Sequence, residues 1–205
     1  MIDFFNNYIN YLRTNNASDF KIKQCICVGD YFYKFYAGKD LRIFLEEQDP
    51  HRLIKAINKC GNGLVIDYKV WEDLGAVYLK CKKVTYHYKL NQKELINKFN
   101  TFDEYLIYCL ENIIKVSKEI YPSHFNDFGG GNVAVQEDLS WIVVDLDDMF
   151  EIMEVCKKDW INHISYRLTA NLDMSINRDF DNVYAKEFIL DYFKSNIHLL
   201  DFLPD

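Results

Sequence analysis

Three oxygen-bearing side chains stand at suggestive spacing in the stretch SHFNDFGGGNVAVQEDLSWIVVDLDD, residues 123–148: Asp127, Asn132 and Asp145. Four residues separate the first pair and twelve the second. Carboxylate and amide oxygens suit a hard cation such as Mg²⁺, which prefers oxygen ligands. Asp147 and Asp148 extend the acidic set. For these groups to meet, the intervening chain must double back. The sequence supplies the means: a strand over 132–135, a turn at Glu137-Asp138 and a second strand over 141–144. The run Gly129-Gly130-Gly131 removes side chains beside the first strand and lets the backbone take unusual dihedrals. The bland alternative is a polar turn next to a β-hairpin, with a solvated acidic run after it.

The elements ahead of this stretch fall into an order. Residues 3–12 place Phe4, Phe5, Tyr8, Ile9 and Leu12 on one helical face. Residues 20–28 and 31–36 read as strands around a tight turn at Gly29-Asp30. Lys34 is a cation in the middle of the aromatic second strand, either a phosphate ligand or an edge-strand lysine with its head in water. Residues 40–48 suggest a short helix carrying Glu46 and Glu47. Asp49-Pro50 then opens another helix, with Asp as N-cap and Pro at the first position, running to about residue 59. Strands over 64–68 and 76–81 follow, then a connecting segment, 84–90, in the most basic part of the chain. Residues 101–120 form the clearest helix: Thr101 and Glu104 make a capping box, and Phe102, Leu106, Cys109, Leu110, Ile113, Val116 and Ile120 share one stripe. Pro122 stops it just before the loop with Asp127. Trp160, Ile164 and Leu168 mark a further helix and Tyr184, Phe188, Ile189 and Phe193 another, with a polar loop expected over 171–181 between them.

Read together, these residues resemble the protein kinases and the related small-molecule phosphotransferases of the aminoglycoside-kinase type. That family carries a catalytic loop H-x-D-x-x-x-x-N, then a hairpin, then a metal-binding Asp. The spacings from Asp127 to Asn132 and on to Asp145 match. Asp145-Leu146-Asp147 stands closer to the D-x-D of sugar- and aminoglycoside-kinase-like enzymes than to D-F-G. The resemblance implies an α+β, two-lobed protein-kinase-like fold: a small antiparallel-sheet lobe over 1–88 that binds nucleotide, and a reduced, mostly helical catalytic lobe over 89–205. It implies ATP and Mg²⁺ as ligands, with Lys34 on the nucleotide phosphates and Glu46 or Glu47 paired with that lysine. Asn132, Asp145 and Asp147 would then hold the metal, and Asp127 would be the group that orients the acceptor hydroxyl on a protein or small molecule. The segment 84–90 would join the lobes.

The departures are specific. Phe125 stands where the family has His, Asn126 where protein kinases often have Arg, and neither a G-x-G-x-x-G before Lys34 nor an A-P-E motif is present. Without that Arg, the implied enzyme is constitutive or activated by a protein partner. Minimal forms of this kind occur among bacterial effectors. The other class left open is a non-catalytic protein, kinase-like or of an unrelated α/β fold, that binds a protein partner; the 15 Tyr and 15 Phe would suit such an interface.

Composition narrows the rest. A chain of 205 residues, 49% hydrophobic, is long enough for one domain or two small lobes. Its net charge of −7 argues against a general nucleic-acid binder. The six cysteines include a Cys25-x-Cys27 pair but no C-x-x-C, so reduced core thiols in a cytosolic compartment are expected. No apolar run approaches about 18 residues, so no membrane span is expected. Met1-Ile2-Asp3 lacks the basic, apolar start of a secretory signal. The expected location is therefore cytoplasmic, or a host cytosol reached by a signal-peptide-independent route.

Overall fold

In the computed structural model the described residues are 22–37, 65–71, 76–90, 92–121, 123–124, 128, 131–144, 151–152, 155–173 and 182–205, together with 6, 7, 10 and 14. The protein is α+β and divides into two compact units, Met1–Lys83 and Val84–Asp205.

The first unit holds a four-stranded antiparallel sheet. Its strands are β1 (Ile22–Val28), β2 (Tyr31–Ala37), β3 (Val65–Trp71) and β4 (Ala76–Lys82), in the order β1-β2-β4-β3. A nearly unbroken run of aromatic residues with Lys34 at its centre makes β2 a strand, and Gly29-Asp30 turns β1 back onto it with Val28 opposite Tyr31. Gly29 has φ +57, the left-handed region that two-residue hairpin turns require and that a Cβ penalises. Gly29→Ala is therefore expected to lower stability by about 1–2 kcal/mol, and Gly29→Asn by less, because Asn tolerates that region. Equal denaturation midpoints for the two variants would contradict this account of the turn. The helices expected between residues 40 and 59 lie outside the described residues.

The second unit begins with β5 (Tyr88–Lys89), a short helix α1 (Lys93–Ile96) and the long helix α2 (Phe102–Ile120). The Thr101 hydroxyl accepts from the Glu104 N–H at 3.1 Å, and the Glu104 carboxylate accepts from the Asn100 N–H at 2.9 Å. The first bond satisfies a donor that would otherwise be orphaned at the helix start, and the second, one residue before the N-cap rather than at it, ties the entering chain to the first turn. The expected stripe is buried from Leu106 to Ile120, and Tyr105 and Ile114 widen it, so the helix is covered on more than one side. The Tyr105 hydroxyl, fully buried, donates to the Leu90 carbonyl at 2.6 Å.

After α2 come β6 (Ser123–His124), β7 (Val133–Val135), β8 (Trp141–Val143) and β9 (Glu151–Ile152). They form an antiparallel sheet β5-β7-β8 and a separate pair β6-β9. The segment read as a plain connection, 84–90, thus contributes a strand to the hairpin sheet. Helices α3 (Lys157–Asp173) and α4 (Asn182–Ser195), with a 3₁₀ turn at Ile197–Leu200, complete the unit. Trp160 of α3 meets Phe193 of α4 edge to face at 5.5 Å. Residues 171–173, expected in a loop, are helical. Leu172 continues the buried row Trp160, Ile164, Leu168, four residues on each time, and burying it carries the helix past Asn171. None of the described helices is long and apolar enough to cross a membrane.

Candidate functional site

The hairpin β7–β8 is the frame of the site, and α2 fixes it. Trp141 Nε1 donates to the Tyr108 hydroxyl at 2.7 Å, and that hydroxyl donates to the Leu139 carbonyl at 2.8 Å. Leu139 has φ 64, an unfavourable conformation for a side chain of its size. The turn is held closed around it: Gln136 N–H donates to Ser140 O at 2.9 Å, and the Asp138 carboxylate accepts from both the Ser140 N–H and its hydroxyl. Those two bonds hold the Asp138 pKa below its ordinary value. Burial, the largest cause, pushes the Tyr108 phenol well up, so this hydroxyl stays protonated and able to donate.

At the open end of the hairpin, the Val144 N–H donates to the Asn132 carbonyl at 2.8 Å, one step beyond the Val133–Val143 pair. Asn132 is half-buried. The hairpin therefore brings the Asn132 backbone beside Val144, whose sequence neighbour is Asp145. On the other side of the loop, Ser123 pairs with Ile152 and His124 with Glu151. The chain entering the Asp127 segment and the chain leaving the Asp145-Asp148 segment thus run side by side. Phe128, adjacent to Asp127 in sequence, is fully buried.

Asp127, Asp145, Asp147, Glu46 and Glu47 themselves lie outside the described residues. Among the described residues, no three His, Cys, Asp or Glu side chains gather as metal ligands. Two candidates are described, in different units: Asn132 in the second and Lys34 in the first. Lys34 sits on β2, an interior strand flanked by β1 and β4, opposite Cys25 and Leu79. It is only 8% exposed, which removes the edge-strand alternative and makes it a lysine withdrawn from bulk water.

The described thiols do not form a competing centre. Burial raises the pKa of Cys81, and the Lys34 cation, which acts in the opposite direction, does not reverse it. Burial likewise pushes Cys109 up to about 12. Both are protonated at neutral pH and poor nucleophiles. Cys27, Cys81, Cys109 and Cys156 are free thiols.

Sequence reasoning did not find Phe128, Tyr108 or Tyr86 as parts of this frame. An aromatic residue within a Gly-rich loop is a weak signal for Phe128. The tyrosines act through long-range bonds to main-chain carbonyls, which no local pattern records. No known protein family matches the chain, and neither does any curated protein.

Proposed function

We propose that the chain is a reduced, two-lobed, protein-kinase-like phosphotransferase that uses ATP and Mg²⁺ to phosphorylate a hydroxyl on a protein or small molecule. One observation carries the reading: two antiparallel pairings bracket the acidic loops, Val133–Val143 with its closing Asn132–Val144 bond on one side and β6–β9 on the other. The residues on either side of Asp127 and of the Asp145–Asp147 run are thus held in register, which is what a shared set of oxygen ligands would need. The order of elements supports it as well. A sheet with a buried lysine precedes a connecting segment, then a long helix that leads into the loop, the hairpin and the second acidic segment.

Asn132, Asp145 and Asp147 are oxygen donors of the kind a Mg²⁺ ion takes. The ion, when bound, would neutralise charge on the nucleotide phosphates. Lys34, withdrawn from bulk water, would present a point charge to those phosphates, with Glu46 or Glu47 holding its ammonium group. Asp127 would orient the acceptor hydroxyl and take its proton. Phosphoryl transfer asks little covalent chemistry of a protein, so positioning and charge account for most of the catalysis.

Calorimetric titration with ATP, with and without Mg²⁺, tests the reading. Metal-dependent binding is expected; its absence at every Mg²⁺ concentration would leave a binding protein without nucleotide chemistry. Lys34→Ala should weaken nucleotide binding and slow transfer together, because the lost contact is to phosphates in both ground and transition states. A variant with full ATP affinity would remove Lys34 from the site.

A further inference from the structure

We propose that Tyr86 is a positioning residue for the metal ligand Asn132, an inference that rests on the phosphotransferase reading. The Tyr86 hydroxyl donates to the Gly131 carbonyl at 2.9 Å, across 45 residues of sequence. Gly131 immediately precedes Asn132, whose own carbonyl accepts from the Val144 N–H at 2.8 Å. The two carbonyls on either side of the Asn132 Cα are therefore both held, one by a tyrosine and one by the hairpin. Among the described residues, a Cβ placed at Gly131 would meet no atom within 4 Å, so the Tyr86 bond is not backed by side-chain packing from them. A glycine with two more before it has wide conformational freedom, and a single strong acceptor bond narrows it.

Tyr86 can act as an anchor because its own main chain is fixed to the same sheet. Next to it, the Thr85 carbonyl accepts from Gln136 Nε2 at 3.3 Å, and the His87 N–H donates to the Val135 carbonyl at 3.1 Å. Tyr88 and Lys89 then pair with Val135 and Ala134. The segment is stitched to the far end of β7, and the Tyr86 side chain reaches back to the residue pair at its near end. Tyr86 is 38% exposed and stands outside the buried core, so removing its hydroxyl leaves the core intact.

Tyr86→Phe deletes the hydroxyl donor and keeps the ring. ATP binding measured by calorimetry across a MgCl₂ series should show the half-saturating Mg²⁺ raised about 3- to 10-fold, the fold-change a single net hydrogen bond commands. ATP binding in EDTA and the melting temperature should stay at wild-type values. In an Asn132→Ala background the same substitution should change nothing further, since the ligand it positions is gone. An unchanged Mg²⁺ dependence in Tyr86→Phe overturns the proposal while leaving the phosphotransferase reading in place. So does a full shift that persists without the Asn132 amide, or an equal loss of binding in EDTA. Wild-type protein that binds no ATP at any Mg²⁺ concentration overturns both.

Discussion

Asp145→Ala is expected to eliminate Mg²⁺-dependent ATP binding while the protein melts within a few degrees of wild type. Asp145 directly follows Val144, the residue whose N–H closes the hairpin onto Asn132. That closing bond is made by main-chain atoms of residues 132 and 144, so it does not depend on the Asp145 side chain. The carboxylate itself would be an anionic ligand to a divalent cation, and losing it removes charge as well as a donor. Loss of even an outer-shell partner costs a metal site about 10- to 100-fold in affinity, so a direct anionic ligand should cost more. Asn132→Ala removes a neutral ligand and should weaken the same binding less. Calorimetry at saturating Mg²⁺, read beside thermal melts, separates the cases. If Asp145→Ala unfolds the protein, the carboxylate is a structural anchor; if it binds ATP as tightly as wild type, the metal lies elsewhere.

The parts of this fold that could be read from the sequence are those whose signal is local. Helix α2 declares itself through a cap at Thr101, an acidic partner at Glu104 and an apolar row within one element, and the structure forms those bonds. The turn at Gly29 and the strands on either side are equally legible, because a Gly-Asp pair between two runs rich in β-branched and aromatic residues has few other solutions. Strands β5, β6 and β9 have two residues each, too few for any periodicity, and exist only because a partner strand lies beside them. The end of α3 was misplaced for a related reason: Asn171 looks like a loop residue, yet burying Leu172 beyond it outweighs its weak helix propensity. Lys34 was recognised as unusual by its aromatic surroundings, but whether β2 lay at an edge or in the interior is a matter of strand order, which the local sequence does not encode. The site divides in the same way. Residue types and spacings single out Asp127, Asn132 and Asp145 as candidates, of which Asn132 alone lies among the described residues, whereas the tyrosines bonded to the hairpin's two ends, Tyr86 and Tyr108, reach it from 45 and 31 residues away.

Asp127→Ala is expected to behave unlike either metal-ligand variant: ATP–Mg²⁺ affinity nearly unchanged, turnover lower by about 10²–10⁴, the range typical of a positioned acid–base group. The distinction follows from which substrate each side chain would touch. Asp127 directly precedes Phe128, which is fully buried, and the three glycines that follow in sequence carry no side chains to obstruct an incoming hydroxyl. A carboxylate there would face the acceptor, so its removal should spare ground-state nucleotide binding and be felt only as the hydroxyl loses its proton. Asn126→Ala, next to it, should change turnover little, because the amide has no assigned contact with either substrate. Transfer of labelled phosphate from ATP to the protein itself or to a lysate, at several Mg²⁺ and Mn²⁺ concentrations, provides the rate. A protein that binds ATP but does no chemistry would give the same signal for wild type and Asp127→Ala, and that equality would reduce the site to a nucleotide-binding module. A true transferase should instead rank the variants: Asn126→Ala near wild type, Asp127→Ala slow but saturating at the wild-type ATP concentration, and Lys34→Ala impaired in both affinity and rate.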